Sequence, residues 1–248
     1  MIVLKTPVEI EMMREAGRVT ATALHLVGEA VKPGITTGEL DTIAEEYIRS
    51  QKAKPAFLGY HGFPATLCTS INDQVVHGIP GSTVLREGDV LSVDCGAVVD
   101  GYFGDAALTF AVGAISANAT ALLDATRRSL DAGIAKARPN MRLYDIGSAV
   151  QQVAEGAGFS VVREYVGHGI GRSMHEEPQI PNFGQAGKGP QLKPGMVFAI
   201  EPMINAGGYE VRSLADGWTV VTVDGAMSAH FEHTVAITED GPIILTCE

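Results

Sequence analysis

Short apolar runs, broken by polar caps and glycine turns, divide the chain into helical and strand-like stretches. Residues 7–31 read as one long helix. Thr6, Pro7 and Glu9 supply its N-cap, N1 and N3 positions, a capping box with proline where its missing N–H costs nothing. A second helix is expected over 37–52, with Thr36 and Glu39 as its box. Strand-like runs follow at 65–69, 90–99 and 102–112. The last two flank Asp100-Gly101, and Asp-Gly between apolar runs is a strong hairpin signal. It puts Asp94 and Asp105 on neighbouring antiparallel strands. Two more helices are expected over 117–137 and 143–156, then strands near 160–163, 196–201, 218–224, 230–238 and 242–246.

The pattern repeats. Leu-Arg-Glu-Gly-Asp-Val-Leu-Ser-Val-Asp, ending at Asp94, aligns with Leu-Lys-Pro-Gly-Met-Val-Phe-Ala-Ile-Glu, ending at Glu201. At nearly the same interval, Lys32-Pro33-Gly34 aligns with Arg138-Pro139-Asn140, and each leads into a helix. The order helix, basic-proline turn, helix, strand, carboxylate therefore occurs twice. The expectation is an α+β domain over 1–248, built from halves of about 1–113 and 114–248. Halves meeting face to face bring Asp94 and Glu201 together at the centre.

Chemistry concentrates in five segments: Val-Asp94-Cys-Gly, Phe-Gly-Asp105-Ala, Gly-His168-Gly, Ala-Ile-Glu201-Pro and Phe-Glu232-His. Asp94, Glu201 and Glu232 adjoin apolar strand-like runs, and a carboxylate there is partly buried. Burying it unpaired costs several kcal/mol. The eighteen Lys and Arg of the whole chain leave few beside these segments. Two divalent cations balance four carboxylates, with His168 as a neutral nitrogen ligand.

Composition narrows the class. The 46% hydrophobic fraction and mean hydropathy of +0.14 support a sizeable core. No apolar run approaches the ~20 residues of a membrane span, and the N-terminus is not a signal peptide. Three cysteines make no disulfide framework and point to a reducing cytoplasm. The net charge of −11 argues against direct nucleic-acid binding. No Gly-x-Ser-x-Gly, His-Glu-x-x-His or phosphate-loop motif is present.

The ligand order Asp94, Asp105, His168, Glu201, Glu232, with the aspartates eleven residues apart, resembles that of the type I methionine aminopeptidases. These belong to the pita-bread metallopeptidases. Asn-Asp-Gln-Val-Val-His-Gly-Ile-Pro over 72–80, Gly-His-Gly-Ile-Gly over 167–171, His-Glu-Glu-Pro over 175–178 and Phe-Ala-Ile-Glu-Pro over 198–202 carry the same resemblance. It spans essentially the whole chain. The short form is indicated: no zinc-finger extension precedes the domain, and the interval from His168 to Glu201 has no room for the type II helical insertion.

The resemblance implies a pita-bread fold, two pseudo-symmetric halves with a central curved antiparallel sheet and helices on its outer face. It implies removal of the N-terminal methionine from nascent chains when the second residue is small. Two divalent cations, Co, Mn, Fe or Zn, would activate a water. Asp105 and Glu232 would bridge them, Asp94 would complete one, and His168 with Glu201 the other. Glu201 would shuttle the proton, His175 would stabilise the tetrahedral oxygen, and His77 would contact the peptide near the scissile nitrogen. Phe57, Tyr60, Phe63, Cys68, Met174 and Trp218 are the implied methionine pocket, with Met174 where the family often carries an aromatic residue. His233, adjacent to Glu232, is expected on the opposite strand face. His25, His61 and His230 receive no role. The family leans to monomers. Transient ribosome association fits an enzyme of nascent chains, although no basic tail marks it. A proline-directed pita-bread peptidase and a non-catalytic peptide-binding module are the alternatives. The first usually has an extra N-terminal domain and the second typically loses metal ligands.

Overall fold

The structure is a computed structural model that describes residues 1–247. Helices α1 (Pro7–Ala30) and α2 (Thr37–Ser50) begin at the two expected capping boxes, and both boxes close in both directions. Strands β1 (Lys54–Pro55), β2 (Leu67–Ile71) and β3 (Gln74–Val76) follow, then the long hairpin of β4 (Val90–Val99) and β5 (Tyr102–Ala111). Its turn is tight: Asp100 and Gly101 have φ of 49° and 81°, both in the region a two-residue turn of this hand needs. Helices α3 (Ala117–Lys136) and α4 (Leu143–Gly156) open the second half of the chain.

The remaining strands are short. They are β6 (Ser160–Val161), β7 (Gly167–Gly169), β8 (Glu176–Ile180), β9 (Val197–Ile200) and β10 (Met203–Asn205). After them come β11 (Val211–Ser213), β12 (Val220–Thr222), β13 (Ser228–His230), β14 (Glu232–Thr238) and β15 (Gly241–Ile244). Several depart from the sequence pattern. The strand expected over 65–69 lies two residues later as β2, and that over 218–224 shrinks to β12. The one expected over 230–238 is broken at Phe231 into β13 and β14, which pair with different sheets. Strands β1, β3, β7, β10 and β11, each of two or three residues, and the five-residue β8 have no counterpart among the expected strands.

The main sheet runs β1-β4-β5-β14-β9-β7-β8, with β2 also on β4 and β15 on β14. The β4–β5 hairpin and the β14–β9 pair meet along β5–β14, and all three pairings are antiparallel. One face is covered by helices. Val93, Cys95 and Ala97 of β4 and Ala106 of β5 pack under α1 and α2, while Phe198, Ile200, Val235 and Ile237 pack with residues of α3 and α4. Helix α1 lies almost on the strand: a Cβ at Gly104 of β5 would come within 2.6 Å of the Gly17 backbone nitrogen. The alternate residues of the same strands face the other way, and there the candidate ligands sit.

Candidate metal and peptide site

Strand register by itself collects the five ligands. Asp94 pairs with Ala107 of β5, and Ala107 pairs on its other side with Glu232 of β14. Asp105 is two residues from Ala107 and shares its face. His168 pairs with Ala199, Ala199 with Thr234, and Glu201 is two residues beyond Ala199. Every member of the set is thus an even number of steps from the next, which places all five on one face. His233 falls out of step. It lies on the opposite face, as expected, with Nδ1 2.9 Å from the Thr246 hydroxyl.

Two threonines lock this register. The Thr234 hydroxyl accepts the Asp105 N–H at 3.0 Å and donates to the Asp105 carbonyl at 2.8 Å. The Thr109 hydroxyl does the same for His230, at 2.9 and 2.7 Å. A side chain that replaces a backbone ladder bond in this way holds the strands apart without leaving the backbone groups unsatisfied.

The carboxylates are crowded and short of partners. Asp105 and Glu232 are buried, and Asp94 Oδ1, Asp105 Oδ1 and Glu232 Oε1 have no hydrogen-bond partner among the described residues. Burial pushes the Asp105 carboxyl up to about 7. Burial, then repulsion by Asp105 and Glu201, raises Asp94 well above the ordinary range. Burial and the neighbouring carboxylates do the same to Glu232 and Glu201. Buried carboxyl oxygens that converge and lack hydrogen-bond partners are a donor set for a metal, and the residues present fit one.

His168 completes the set. Its Nδ1 lies 2.9 Å from the Gly169 carbonyl, which makes that nitrogen the N–H donor. The lone pair is left on Nε2, 3.8 Å from Asp105 Oδ2 and 3.5 Å from Glu201 Oε1. Burial lowers its pKa to about 4, so it is neutral, as a ligand must be. Asp105, His168 and Glu232 offer ligand atoms within 4.8 Å of one another, and so do Glu201, His230 and Glu232.

The ligands form the floor of a cavity of about 240 Å³. All the other residues singled out from the sequence line it: Phe57, Tyr60, Phe63, Cys68, Met174 and Trp218 as walls, with His77 and His175 at its edge. The walls form one apolar cluster, in which Met174 is 3% exposed. Phe63 and Trp218 meet edge to face at 5.1 Å. Burial and the nearby aspartates push the Cys68 thiol well up, so it is a wall and not a nucleophile. His77 holds a left-handed backbone with φ of 60°, and burial lowers its pKa to about 4. Non-glycine residues held at such angles cluster at functional sites.

Three features escaped the sequence reading. The Tyr60 hydroxyl lies 2.7 Å from His175 Nδ1, so Tyr60 orients that ring besides forming wall. His61 also lines the cavity. His230, 1% exposed, directs Nε2 at Glu201 and Glu232. A signal for it was present, since His230 and Glu232 are two residues apart and two residues share a strand face.

A curled antiparallel sheet backed by helices, with a buried carboxylate–histidine floor, defines a metallopeptidase of the pita-bread fold. The model of metallopeptidase family M24 matches residues 11–239, and the chain belongs to that family. It is 56% identical over 246 residues to a methionine aminopeptidase of Clostridium perfringens, covering 99% of each. Crystal structures of methionine aminopeptidases from Thermotoga maritima and Rickettsia prowazekii superpose with TM-scores of 0.99 and 0.98, at 47% and 44% identity and 100% coverage of both chains. No helix of the described residues is long and apolar enough to cross a membrane.

Proposed function

We propose that this protein is a type I methionine aminopeptidase, which hydrolyses the peptide bond after an N-terminal methionine. The observation that supports this most is one cavity in which a buried four-carboxylate, one-histidine floor meets a wall of sulfur and aromatic groups. Asp94, Asp105 and Glu232 would hold one divalent cation, and Asp105, His168, Glu201 and Glu232 a second, with Mn, Fe, Co or Zn all suited to these donors. When bound, such a pair supplies a nucleophilic water near neutral pH, a Lewis acid for the carbonyl and an anchor for the α-amine.

The chain's own groups do the rest. The Glu201 carboxylate takes the proton of the attacking water and returns it to the leaving nitrogen. With the Tyr60 hydroxyl on Nδ1, His175 turns Nε2 toward the scissile carbonyl oxygen and stabilises the charge that develops there. His77 sits beside the leaving amide. Phe57, Phe63, Cys68, Met174 and Trp218 take up the methionine side chain and exclude water, and a thioether wall suits a thioether substrate. His77 and His175 crowd the second residue, so a large side chain there clashes.

The same reading makes residues 1–248 one catalytic domain that acts as a monomer on nascent chains in the cytoplasm, with transient approach to the ribosome. Two measurements test it. Chelator-treated enzyme should not cleave Met-Ala-Gly and should recover with Mn or Co; full activity in a verified metal-free sample would overturn the reading. In a Met-X-Gly series, kcat/KM should fall sharply from X = Ala to X = Lys. Comparable values would remove the size rule, and faster cleavage of Ala-Pro peptides would favour the proline-directed alternative.

A further inference from the structure

Five side chains account for the floor, yet a sixth faces the same carboxylates. His230 is 1% exposed, and its Nε2 has no hydrogen-bond partner among the described residues. That nitrogen lies 3.6 Å from Glu201 Oε2 and 4.0 Å from Glu232 Oε2. Glu201 therefore stands between two imidazoles, with Oε1 toward His168 and Oε2 toward His230.

The aim of the His230 ring follows from its backbone. Thr109 bonds both its N–H and its carbonyl, and Met203 pairs with it across β10–β13. Ser92 lies 2.9 Å from the Thr109 hydroxyl and holds that clamp in turn. The strand ends here, and the next residue but one is Glu232. The backbone is thus fixed and the ring itself is buried, away from solvent. Were Nε2 a bare acceptor, its lone pair would face the lone pairs of two carboxylates. As an N–H it meets their charge.

We propose that His230 is a positioning residue, whose Nε2–H donates to Glu201 Oε2 and thereby sets the rotation of that carboxylate. The separation exceeds an N–H···O bond by only about half an ångström, which a small turn of the carboxylate closes. With Oε2 tethered, Oε1 stays directed at the His168 side of the cavity, where ligation and proton transfer both need it. The role rests on the reading of Glu201 as ligand and proton carrier. It parallels the way Gly169 holds His168 through Nδ1, a partner behind the ligand that fixes its orientation.

Three substitutions test it. Gln carries an N–H donor at a reach close to Nε2, Asn carries the same amide one bond short, and Leu fills the volume with no donor. Each holoenzyme is assayed on Met-Ala-Gly, and each metal-free protein is titrated with Mn by calorimetry. H230L should lose ~10–100-fold in kcat and a comparable factor in affinity for one cation, the range found when an orienting partner is removed. KM should change little. H230Q should stay close to the wild type in both readouts, and H230N should resemble H230L. If H230L does not fold, the Gln–Asn pair carries the same comparison between two polar residues. H230L equal to wild type in kcat and Mn affinity would overturn the proposal. So would H230Q as impaired as H230L with one cation lost, which would make His230 a metal ligand instead. A wild type that binds no cation and leaves Met-Ala-Gly intact would fail the functional reading; a competent wild type with indifferent His230 variants fails this inference alone.

Discussion

At the scale of single residues, the proposed two-cation site distinguishes shared ligands from unshared ones. Asp105 and Glu232 are the two buried carboxylates at the centre of the set, and Asp94 stands at one side of it. Asp105→Ala should therefore lower both steps of a Mn titration. Asp94→Ala should lower mainly one. Calorimetric stoichiometry reads the difference, and equal damage by the two variants would remove the bridging assignment. In the proposed mechanism His175 is the group that acts on the transition state. It reaches the cavity through a ring held by Tyr60 and is itself solvent-exposed, so truncation leaves no buried gap. His175→Ala should lower kcat by ~10²–10³ with KM little changed, the effect of losing one oxyanion donor. A raised KM at normal kcat would assign it to ground-state binding.

At the scale of elements, the loop that carries Met174 and His175 is pinned from the far end of the chain. Lys5 Nζ lies 2.5 Å from Glu176 Oε2, and the two side chains are only 5% and 14% exposed. Glu176 Oε1 accepts the N–H of Arg172 at 3.0 Å, and the Lys5 N–H donates to the Gly195 carbonyl at 2.7 Å. One ion pair thus ties the N-terminal segment to the turn between β7 and β8 and to the turn before β9. Lys5→Met removes the cation and leaves Glu176 buried with backbone donors only. Loss of one partner of a buried pair costs on the order of 3 kcal/mol. The variant should melt earlier and also lose kcat, because His175 is the residue next to Glu176. A lower Tm with unchanged kcat would show that the latch serves stability alone.

At the scale of the whole molecule, the site holds carboxylates whose charged form burial and crowding disfavour until a proton or a cation compensates them. Asp105 is pushed up to about 7, and Asp94, Glu201 and Glu232 are raised well above their ordinary values, first by burial and then by one another. From about pH 4 upward the unfolded chain releases protons that the folded carboxylates keep, so the metal-free protein loses stability as pH rises. The buried histidines act with the opposite sign. His77 and His168 titrate at about 4 and His230 at about 3 when folded, so stability rises with pH until the unfolded histidines are neutral at ~6.5. Above that point only the carboxylate effect remains. The Tm of chelated protein should fall between pH 6.5 and 8, and added Mn should raise it by an amount that grows across the same window. A chelated Tm that is flat or rising there would mean that the four carboxyls are not held above their ordinary range in the folded protein.

The sequence by itself determined whatever depends on local pattern. Capping boxes at Thr6 and Thr36, the Asp100-Gly101 hairpin and the four helices all stand within about two residues of expectation, because caps and turns act over a few bonds. Asp94, Glu201 and Glu232 were legible because a carboxylate beside an apolar run demands compensation, whatever the fold; Asp105 and His168 joined them through their motifs and the family resemblance. The fate of 230–238 was decided only by the tertiary structure: β13 pairs with β10, β14 pairs with β5 and β9, and the break at Phe231 has no local signal. Tyr60 reaches His175 across 115 residues, and His230 reaches Glu201 from a different sheet. The two-residue step to Glu232 hints at the face His230 shares, but no spacing rule encodes its reach to Glu201 or that of Tyr60 to His175. Both contacts exist because the β4–β5 hairpin and the β14–β9 pair meet along β5–β14 beside a common cavity, and side chains that share a face acquire their partners only when that sheet forms.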